Sequence, residues 1–380
     1  MCVGASPNEE RAIVTLLKRT PTLAECQGGA RCYTARQGKP ARAVCRLPCE
    51  GQQPGRGSQV IITVTPNAAV DKTLTVPNFQ TGFRHRASES LTLPGGKGVN
   101  IARALKTLDQ PVVVTGLVGG RAGQQIVEGL QRENILSDFV HIGGESRTST
   151  AVVDPTTMTQ TEVIEYGPVV TAQETAAFLD KIEYLAKGAR FVVLAGSLPR
   201  KTAEDFYGTA MQRIRKHRCF VVLDSAGEPL RLGMKGRPHL ISPNMREAED
   251  LVGHEFHDDQ DIVDATALIC EMGARNVIIK TQYGCVARFQ IGRRQRVFKA
   301  GIAPLETVIS TVGSGDAFLA GFVSARFQKL DLPECLREAL AAGAANTQRY
   351  GAGVLDADDM ARLRDTTEVT EVDGDGVAAA

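Results

Sequence analysis

The sequence predicts a three-layer α/β/α sandwich: a mostly parallel central sheet between two helical layers, with a small β-sheet lid beside it. Short apolar, β-branched runs alternate with segments of helical period along most of the 380 residues, the pattern of strand–helix–strand crossovers. The runs are apolar at consecutive positions, so their strands are buried on both faces, as in parallel sheets. Two stretches, 71–93 and 148–166, alternate polar and apolar residues instead. They read as exposed antiparallel strands of a separate lid sheet.

The elements follow in chain order. Residues 1–57 are rich in Gly, Pro, Arg and Cys and keep no sustained period. They are expected to form a disordered extension, or an upstream stretch included by a mistaken start codon; a regulatory or targeting role is the alternative. The principal body spans 58–364. "QVIITVTP" (59–66) is its first buried strand, and "KGVNIARALKTL" (97–108) carries Val99, Ile101, Ala102, Leu105 and Leu108 near helical spacing. "PVVVTGLVG" (111–119), "FVVLAGSLP" (191–199), "CFVVLDSAG" (219–227), "HLISPN" (239–244) and "NVIIKT" (276–281) repeat the strand theme. Helical stretches at 172–187, 202–217 and 260–272 separate them. "GRRQRVFK" (292–299) is basic but aromatic-poor and reads as a solvated hairpin rather than a nucleic-acid surface. Residues 365–380 are expected to form a disordered acidic tail.

Composition narrows the function. A net charge of +1 supplies no field that would draw the chain to nucleic acid or an anionic membrane. No apolar run reaches the ~18–20 residues of a spanning helix, and the N-terminus lacks a signal-peptide pattern. A cytoplasmic protein with small-molecule partners is expected. Of nine cysteines, Cys219, Cys270, Cys285 and Cys335 lie outside the N-terminal extension. The absence of CxxC spacing argues against zinc, and the odd total against a disulfide framework. These four are read as reduced, mostly buried thiols.

In such sheets ligands sit beyond the carboxyl ends of the strands. "TPNAAVD", "AGSLP", "DSAG", "SPNMRE" and "TVGSGD" are placed at such ends and point to one composite site. Gly313, Ser314, Gly315 and Asp316 open a helix whose first amides lack internal partners and favour an anion. The structural alternative is a turn in which Ser314 caps and Asp316 complements the dipole. "PGGKGVN" (94–100) surrounds Lys97 with glycines, and a cation among backbone donors suits an anionic or polyhydroxyl ligand. It is not a Walker P-loop, and no G-x-G-x-x-G follows the first strand. Asn244 and Glu247 would share a face at a helix start, where they either order magnesium through water or form a capping box. Asp71 could hold sugar hydroxyls or start a turn. Arg147 could grip a phosphate or lie idle on the surface.

Taken together and in this order, "TPNAAVD", "PGGKGVNIARAL", "GSLP", "DSAGEPL", "PNMREAE" and "TVGSGDAFLAGF" resemble the ribokinase-like (PfkB) carbohydrate kinases over roughly residues 58–360. The T-x-N-x-x-x-D opening is most similar to the branch of 1-phosphofructokinases and tagatose-6-phosphate kinases. The resemblance implies that Asp316 is the catalytic base and that Gly313, Ser314 and Gly315 form the anion hole. It assigns Asp71, Gly96, Lys97, Asn100 and Ser197 to the sugar, with Arg147 and Lys97 gripping the phosphate already present. Asn244, Glu247, Thr281, Gly284 and Asn346 fall to ATP and its magnesium, the metal being held through water and Glu247 rather than by direct ligands. Pairing of lid strands between two subunits, hence a homodimer, is also implied.

The expected activity is ATP-dependent phosphorylation of fructose 1-phosphate to fructose 1,6-bisphosphate; tagatose 6-phosphate and fructose 6-phosphate are the alternative substrates. Asp316 would take the proton of the attacking hydroxyl. A carboxylate of ordinary pKa, ~3.9, is a weak base, sufficient if the transition state is loose and positioning dominates. The helix amides and Mg²⁺ would stabilise the transferring group while the lid excludes water. Three departures stand out: Ser242 where relatives often carry lysine, Thr281 where glycine is expected in "KTQYG" (280–284), and Ala68 for a frequent proline. The first two bear on the nucleotide and the choice of phosphoryl donor. Two rivals belong to other classes. A sugar-phosphate sensor without turnover is opposed by the intact Asp316 and N-x-x-E, and a nicotinamide dehydrogenase by the missing dinucleotide motif.

Overall fold

The structure is a computed structural model and describes residues 60–305 and 307–372. The extension at 1–57 lies outside the described residues, as do residues 373–380 of the expected tail.

In chain order the strands are β1 (Val60–Thr65), β2 (Ala69–Thr75), β3 (Glu89–Gly95), β4 (Val112–Val118), β5 (Leu136–Ser137), β6 (Val140–His141), β7 (Arg147–Asp154) and β8 (Thr159–Ile164). They continue as β9 (Ala189–Ala195), β10 (Phe220–Asp224), β11 (Leu240–Ile241), β12 (Val277–Lys280), β13 (Gly284–Ile291), β14 (Arg294–Ile302) and β15 (Thr367–Val372). The large sheet runs β15-β14-β13-β12-β11-β10-β9-β1-β4-β5, with β6 beside β4. Pairing is parallel from β12 through β11, β10, β9, β1 and β4 to β5, and antiparallel from β12 to β15. Consecutive residues of β1 enter opposite cores. Ile61 packs in the layer that holds the helices Lys97–Thr107, Ser314–Phe327 and Leu332–Thr347. Val60, Ile62 and Val64 pack in the layer of Ala172–Ala186, Phe206–Ile214 and Asp259–Glu271. The unbroken apolar runs are therefore explained by burial on both faces. After β1 the chain adds β4 on one side and later β9 on the other. The carboxyl end of β1 is thus a topological switch point, where a ligand crevice is expected.

The lid is a separate sheet of order β3-β2-β7-β8. Its outer pairs are antiparallel, but the central β2–β7 pair is parallel, so the expectation of purely antiparallel strands is corrected. The reason is connectivity: β4, the helix Gly120–Arg132, β5 and β6 intervene between β3 and β7, and so long a crossover permits parallel pairing.

The end of the chain also differs from expectation. Residues 367–372 are not a disordered tail but β15, which covers the edge of β14. Thr367 and Val372 are buried, Glu368 and Thr370 are exposed, and Val369 and Glu371 are half-buried. Arg296 donates to Glu371 through Nε at 2.6 Å, tying the two strands together. The hairpin around 292–299 is correspondingly less solvated than its charge suggests, because Val297 and Phe298 are buried. The four cysteines of the described body carry free thiols; Cys270 is half-buried and the other three are buried.

Candidate active site

Two cavities lie at the carboxyl ends of the strands. The larger, about 680 Å³, lies between the lid and the ends of β1, β9 and β10, and takes in Asp71, Lys97, Asn100, Arg147 and Ser197. The smaller, about 380 Å³, lies between the β12–β13 turn, the loop at 303–311 and the start of the helix Ser314–Phe327. Thr281, Gly284, Ser314 and Gly315 line it.

Asp316 sits between them. It is buried, and Asn100 donates to its Oδ2 at 2.9 Å. Asn100 lines the larger cavity, while the two residues before Asp316 line the smaller. The helix start is built by Gly313, whose φ of 78° is left-handed and whose Cβ, if present, would stand 2.5 Å from Ala352 Cα. Only glycine fits. Gly313 is the N-cap, and no side chain caps the helix. Ser314 therefore does not serve as the cap that the structural alternative assigned to it. The amides of Gly315 and Asp316 lie in the first turn, where the helix offers them no acceptor.

Burial pushes the Asp316 carboxyl up to about 7; Lys97 and the Asn100 hydrogen bond oppose this, and Asp224 adds to it. The ordinary carboxylate value assumed from sequence is thus corrected. A base that titrates near neutrality is better matched to proton removal.

A charged cluster surrounds this junction. Lys97 Nζ lies 3.2 Å from Asp224 Oδ2 and 4.0 Å from Glu247 Oε1. Burial alone would lower the Lys97 pKa, but Asp224, Asp316 and Glu247 outweigh it and hold the ammonium above the ordinary lysine value. Asn244 and Glu247 form the capping box: Asn244 Oδ1 accepts from the Glu247 amide, and Glu247 Oε2 accepts from the Asn244 amide, each at 2.9 Å. The box leaves Glu247 Oε1 turned towards Lys97, so cap and site share one side chain.

At the far end of the larger cavity, Arg147 donates through Nε to Asn67 O at 3.2 Å. Burial lowers its pKa, while Asp71 and Glu165 favour its charge. Asp71 is raised by burial against the pull of Arg147 and Arg103. Its carboxyl lies over Gly95, where a Cβ would stand 2.0 Å from Asp71 Cγ; the glycine is what lets this acid enter the cavity.

Asn346 is not brought to either cavity. It is fully buried, and its Nδ2 donates to Gly351 O at 2.9 Å and Val354 O at 3.3 Å. Its carboxamide holds the loop that faces Gly313. Thr281 lines the smaller cavity, and its amide donates to Gly284 O at 2.9 Å.

Three residues outside the sequence assignment complete the cluster. Asp224 ends β10, is 2% exposed, and its Oδ1 has no hydrogen-bond partner. A strand-terminal acid before "SAG" was the available signal, hidden by its likeness to a turn. Asn67 donates to Ser197 Oγ at 3.1 Å, linking the ends of β1 and β9. Arg103 is buried; it donates to Asn100 Oδ1 at 3.3 Å, to Pro94 O at 2.6 Å and to Ala352 O at 2.8 Å, and so orients the amide that meets Asp316. Helical spacing places Arg103 one turn from Asn100, but nothing in the sequence says it is buried.

Among the described residues no group of three or more His, Cys, Asp or Glu is placed to hold a metal ion. Asp224 Oδ1, buried and without a hydrogen bond, and Glu247 nevertheless offer oxygen donors of the kind a hard cation takes. These two carboxylates are the residues that would hold a magnesium ion. No helix among the described residues is long and apolar enough to cross a membrane.

The family described as pfkB family carbohydrate kinase matches residues 65–359. A 1-phosphofructokinase of Bacillus subtilis is 31% identical over 286 residues, covering 75% of this chain and 92% of that protein. A solved structure from Thermotoga maritima, described as a possible 1-phosphofructokinase, superposes with a TM-score of 0.75 at 25% identity, over 83% of this chain and 100% of that one. Phosphofructokinase-2 of Escherichia coli, solved with substrates and products, has the same fold, with a TM-score of 0.74 at 24% identity over 80% of this chain and 98% of that one.

Proposed function

The chain belongs to the pfkB family of carbohydrate kinases, and from that premise we propose that it transfers the γ-phosphoryl group of ATP to fructose 1-phosphate, giving fructose 1,6-bisphosphate and ADP. It is a sugar-phosphate kinase of the phosphofructokinase type; the proposal concerns its substrate, its donor and the residues that act. The observation that carries the reaction is Asp316, a buried carboxyl of raised pKa, hydrogen-bonded to Asn100 at the junction of two cavities. The likeness to the Bacillus subtilis 1-phosphofructokinase supports the choice of sugar.

In this reading the larger cavity holds the sugar phosphate. Asp71 and Asn100 accept and donate to its hydroxyls, and Arg147 grips the phosphate it already carries. The smaller cavity holds the nucleotide, with its terminal phosphate at the amides of Gly315 and Asp316. Asp316 removes the proton of the free hydroxyl; that oxygen forms a bond to γ-phosphorus as the bond to the β–γ bridging oxygen breaks, and ADP leaves with the electron pair. Asp224 and Glu247 would hold a magnesium ion, and such an ion would supply charge neutralisation at the phosphates. Lys97, held among Asp224, Glu247 and Asp316, orders the acids around the transfer position. Glu247 and Asn244 also fix the helix Met245–Val252.

The kinase unit is taken as residues 58–372, since β15 completes its sheet, and a cytoplasmic setting goes with it. A homodimer through the lid is part of the proposal: Val163 and Ile164 on its edge strand β8 are 64% and 55% exposed. Light scattering on the purified chain tests that point, a monomer at all concentrations removing it. The activity itself is tested with a panel of hexose monophosphates and ATP in an ADP-coupled assay. Fructose 1-phosphate should give the highest kcat/KM. A higher value for tagatose 6-phosphate or fructose 6-phosphate reassigns the substrate, and no turnover of any of them overturns the kinase reading.

A further inference from the structure

We propose that Lys280 is a phosphate-binding catalytic residue of this kinase, its ammonium meeting the transferred phosphoryl group beside the amides of the helix Ser314–Phe327 and supplying a charge that Ser242 does not. The inference rests on the kinase reading above.

Lys280 is the last residue of β12, and its backbone is bridged to Asn244 on the neighbouring chain segment. Its side chain is 13% exposed. Nζ lies 3.4 Å from the place where a Cβ of Gly315 would stand. The end of the side chain therefore lies against the first turn of the helix, in the lining of the smaller cavity.

That placement has an electrostatic consequence. The N-terminus of a helix carries partial positive charge, so a lysine laid across it is repelled unless an anion lies between them. Asp224 Oδ1, at 3.9 Å, is the one ion-pair partner of Lys280 among the described residues, and that separation is beyond hydrogen-bonding distance. A half-satisfied ammonium and a set of free amides thus converge on one place. A phosphoryl oxygen satisfies both.

The other lysine at the junction is already committed. Lys97 lies closer to Asp224, at 3.2 Å, and also faces Glu247. Ser242 stands beyond the end of β11, where the resemblance leads one to expect lysine. Here it is 1% exposed, and its hydroxyl has no partner. Since β11 and β12 are adjacent parallel strands, a cation moved from the end of one to the end of the other still reaches the same crevice. Lys280 at the end of β12 and Ser242 beyond the end of β11 are then two halves of one exchange.

The test compares Lys280→Gln with the unaltered protein for turnover and for binding of ATP and of adenosine, which carries no phosphate. Lys280→Gln should lower kcat by ~10²–10³-fold, the range seen when one oxyanion donor is removed. It should weaken ATP by ~10-fold or more while adenosine changes by less than ~2-fold and the KM for the sugar phosphate stays within ~3-fold. Ser242→Lys combined with Lys280→Gln should recover ~10-fold or more of kcat; no recovery overturns the exchange between strands. Labelling of the unaltered protein by pyridoxal phosphate and borohydride, read by mass spectrometry, needs no variant to fold. ATP should protect Lys280 and adenosine should not. The proposal is overturned by equal loss of ATP and adenosine binding, by a kcat within ~3-fold of the original, or by labelling that ATP leaves unchanged. Absence of turnover in the unaltered protein would instead strike the kinase reading, which the ATP-against-adenosine comparison separates from the role of Lys280.

Discussion

Asn100 and Asp316 stand 216 positions apart in the chain and 2.9 Å apart in space, the carboxamide donating to the carboxylate. The bond joins the first turns of two helices that open from glycine-rich loops. It also divides two tasks that Asp316 has been given: the backbone of its turn serves the phosphate, and its side chain serves the proton. Asp316→Asn keeps the turn and removes the base. We expect kcat to fall by ~10²–10⁴-fold with sugar-phosphate affinity nearly unchanged. Steady-state kinetics with calorimetric titration of the sugar phosphate checks this, and full kcat in the variant removes Asp316 from the base role.

The pH dependence follows from the same carboxyl. Its pKa in the folded chain is raised from 3.8 to about 7 by burial. Only the ionised form accepts a proton, so kcat/KM should rise with pH through an apparent pKa near this value and be lost below it. The Asn100 bond lowers the pKa, so Asn100→Ala should move the acid limb to higher pH. Stability runs the other way. A group whose pKa is raised by folding contributes fully below its unfolded value and loses that contribution as pH rises through its folded value. Asp316→Asn should therefore gain melting temperature over the original chain, the gain growing from about pH 4 to about pH 7 and levelling above, a stability–activity trade-off. Melting curves across that window, with no difference growing towards the alkaline end, would contradict the buried-acid account.

What could be read from the sequence divides along physical lines. Val60–Thr65 and Val112–Val118 are legible as strands because burial on both faces leaves an unbroken apolar run. Gly313, Lys97 and Asn100 are legible because glycines cluster where backbone must approach closely. Asp224 and Arg103 are not. Each matters through burial and through partners far along the chain, as with Arg103 and Ala352 O, 249 positions apart. The hydrogen bonds of Asn346 to Gly351 O and Val354 O are equally invisible in the sequence, because they depend on how the following loop folds back. The pKa of Asp316 could not be read at all, since desolvation belongs to the packed molecule.

Arg147 should separate phosphorylated from unphosphorylated sugars. Its Nε is spent on Asn67 O, and the guanidinium lines the larger cavity beside Asp71. Arg147→Ala should lower kcat/KM for fructose 1-phosphate by ~10–10²-fold, the worth of a charge-assisted contact. Residual activity with unphosphorylated fructose should change by less than ~3-fold. Equal losses with both sugars would contradict a grip on the phosphate and leave Arg147 as a support for the lid.

The strand at the end of the described chain gives a test of the fold itself. Residues 367–372 pair with β14 over its length from Val297 to Ile302, and Glu371 accepts from Arg296. Ending the chain after Asp365 removes these bonds, uncovers the buried Thr367 and Val372 contacts, and leaves β14 as an open edge rich in backbone donors and acceptors. The truncated protein should melt several degrees lower, an expected loss of ~1–3 kcal/mol, and should form larger assemblies than the original does. Removing only residues 373–380 should leave both properties unchanged. Thermal melts and light scattering on the two truncations decide it: if loss of 366–380 changes neither, the segment contributes nothing to the sheet and the original expectation of a tail is restored.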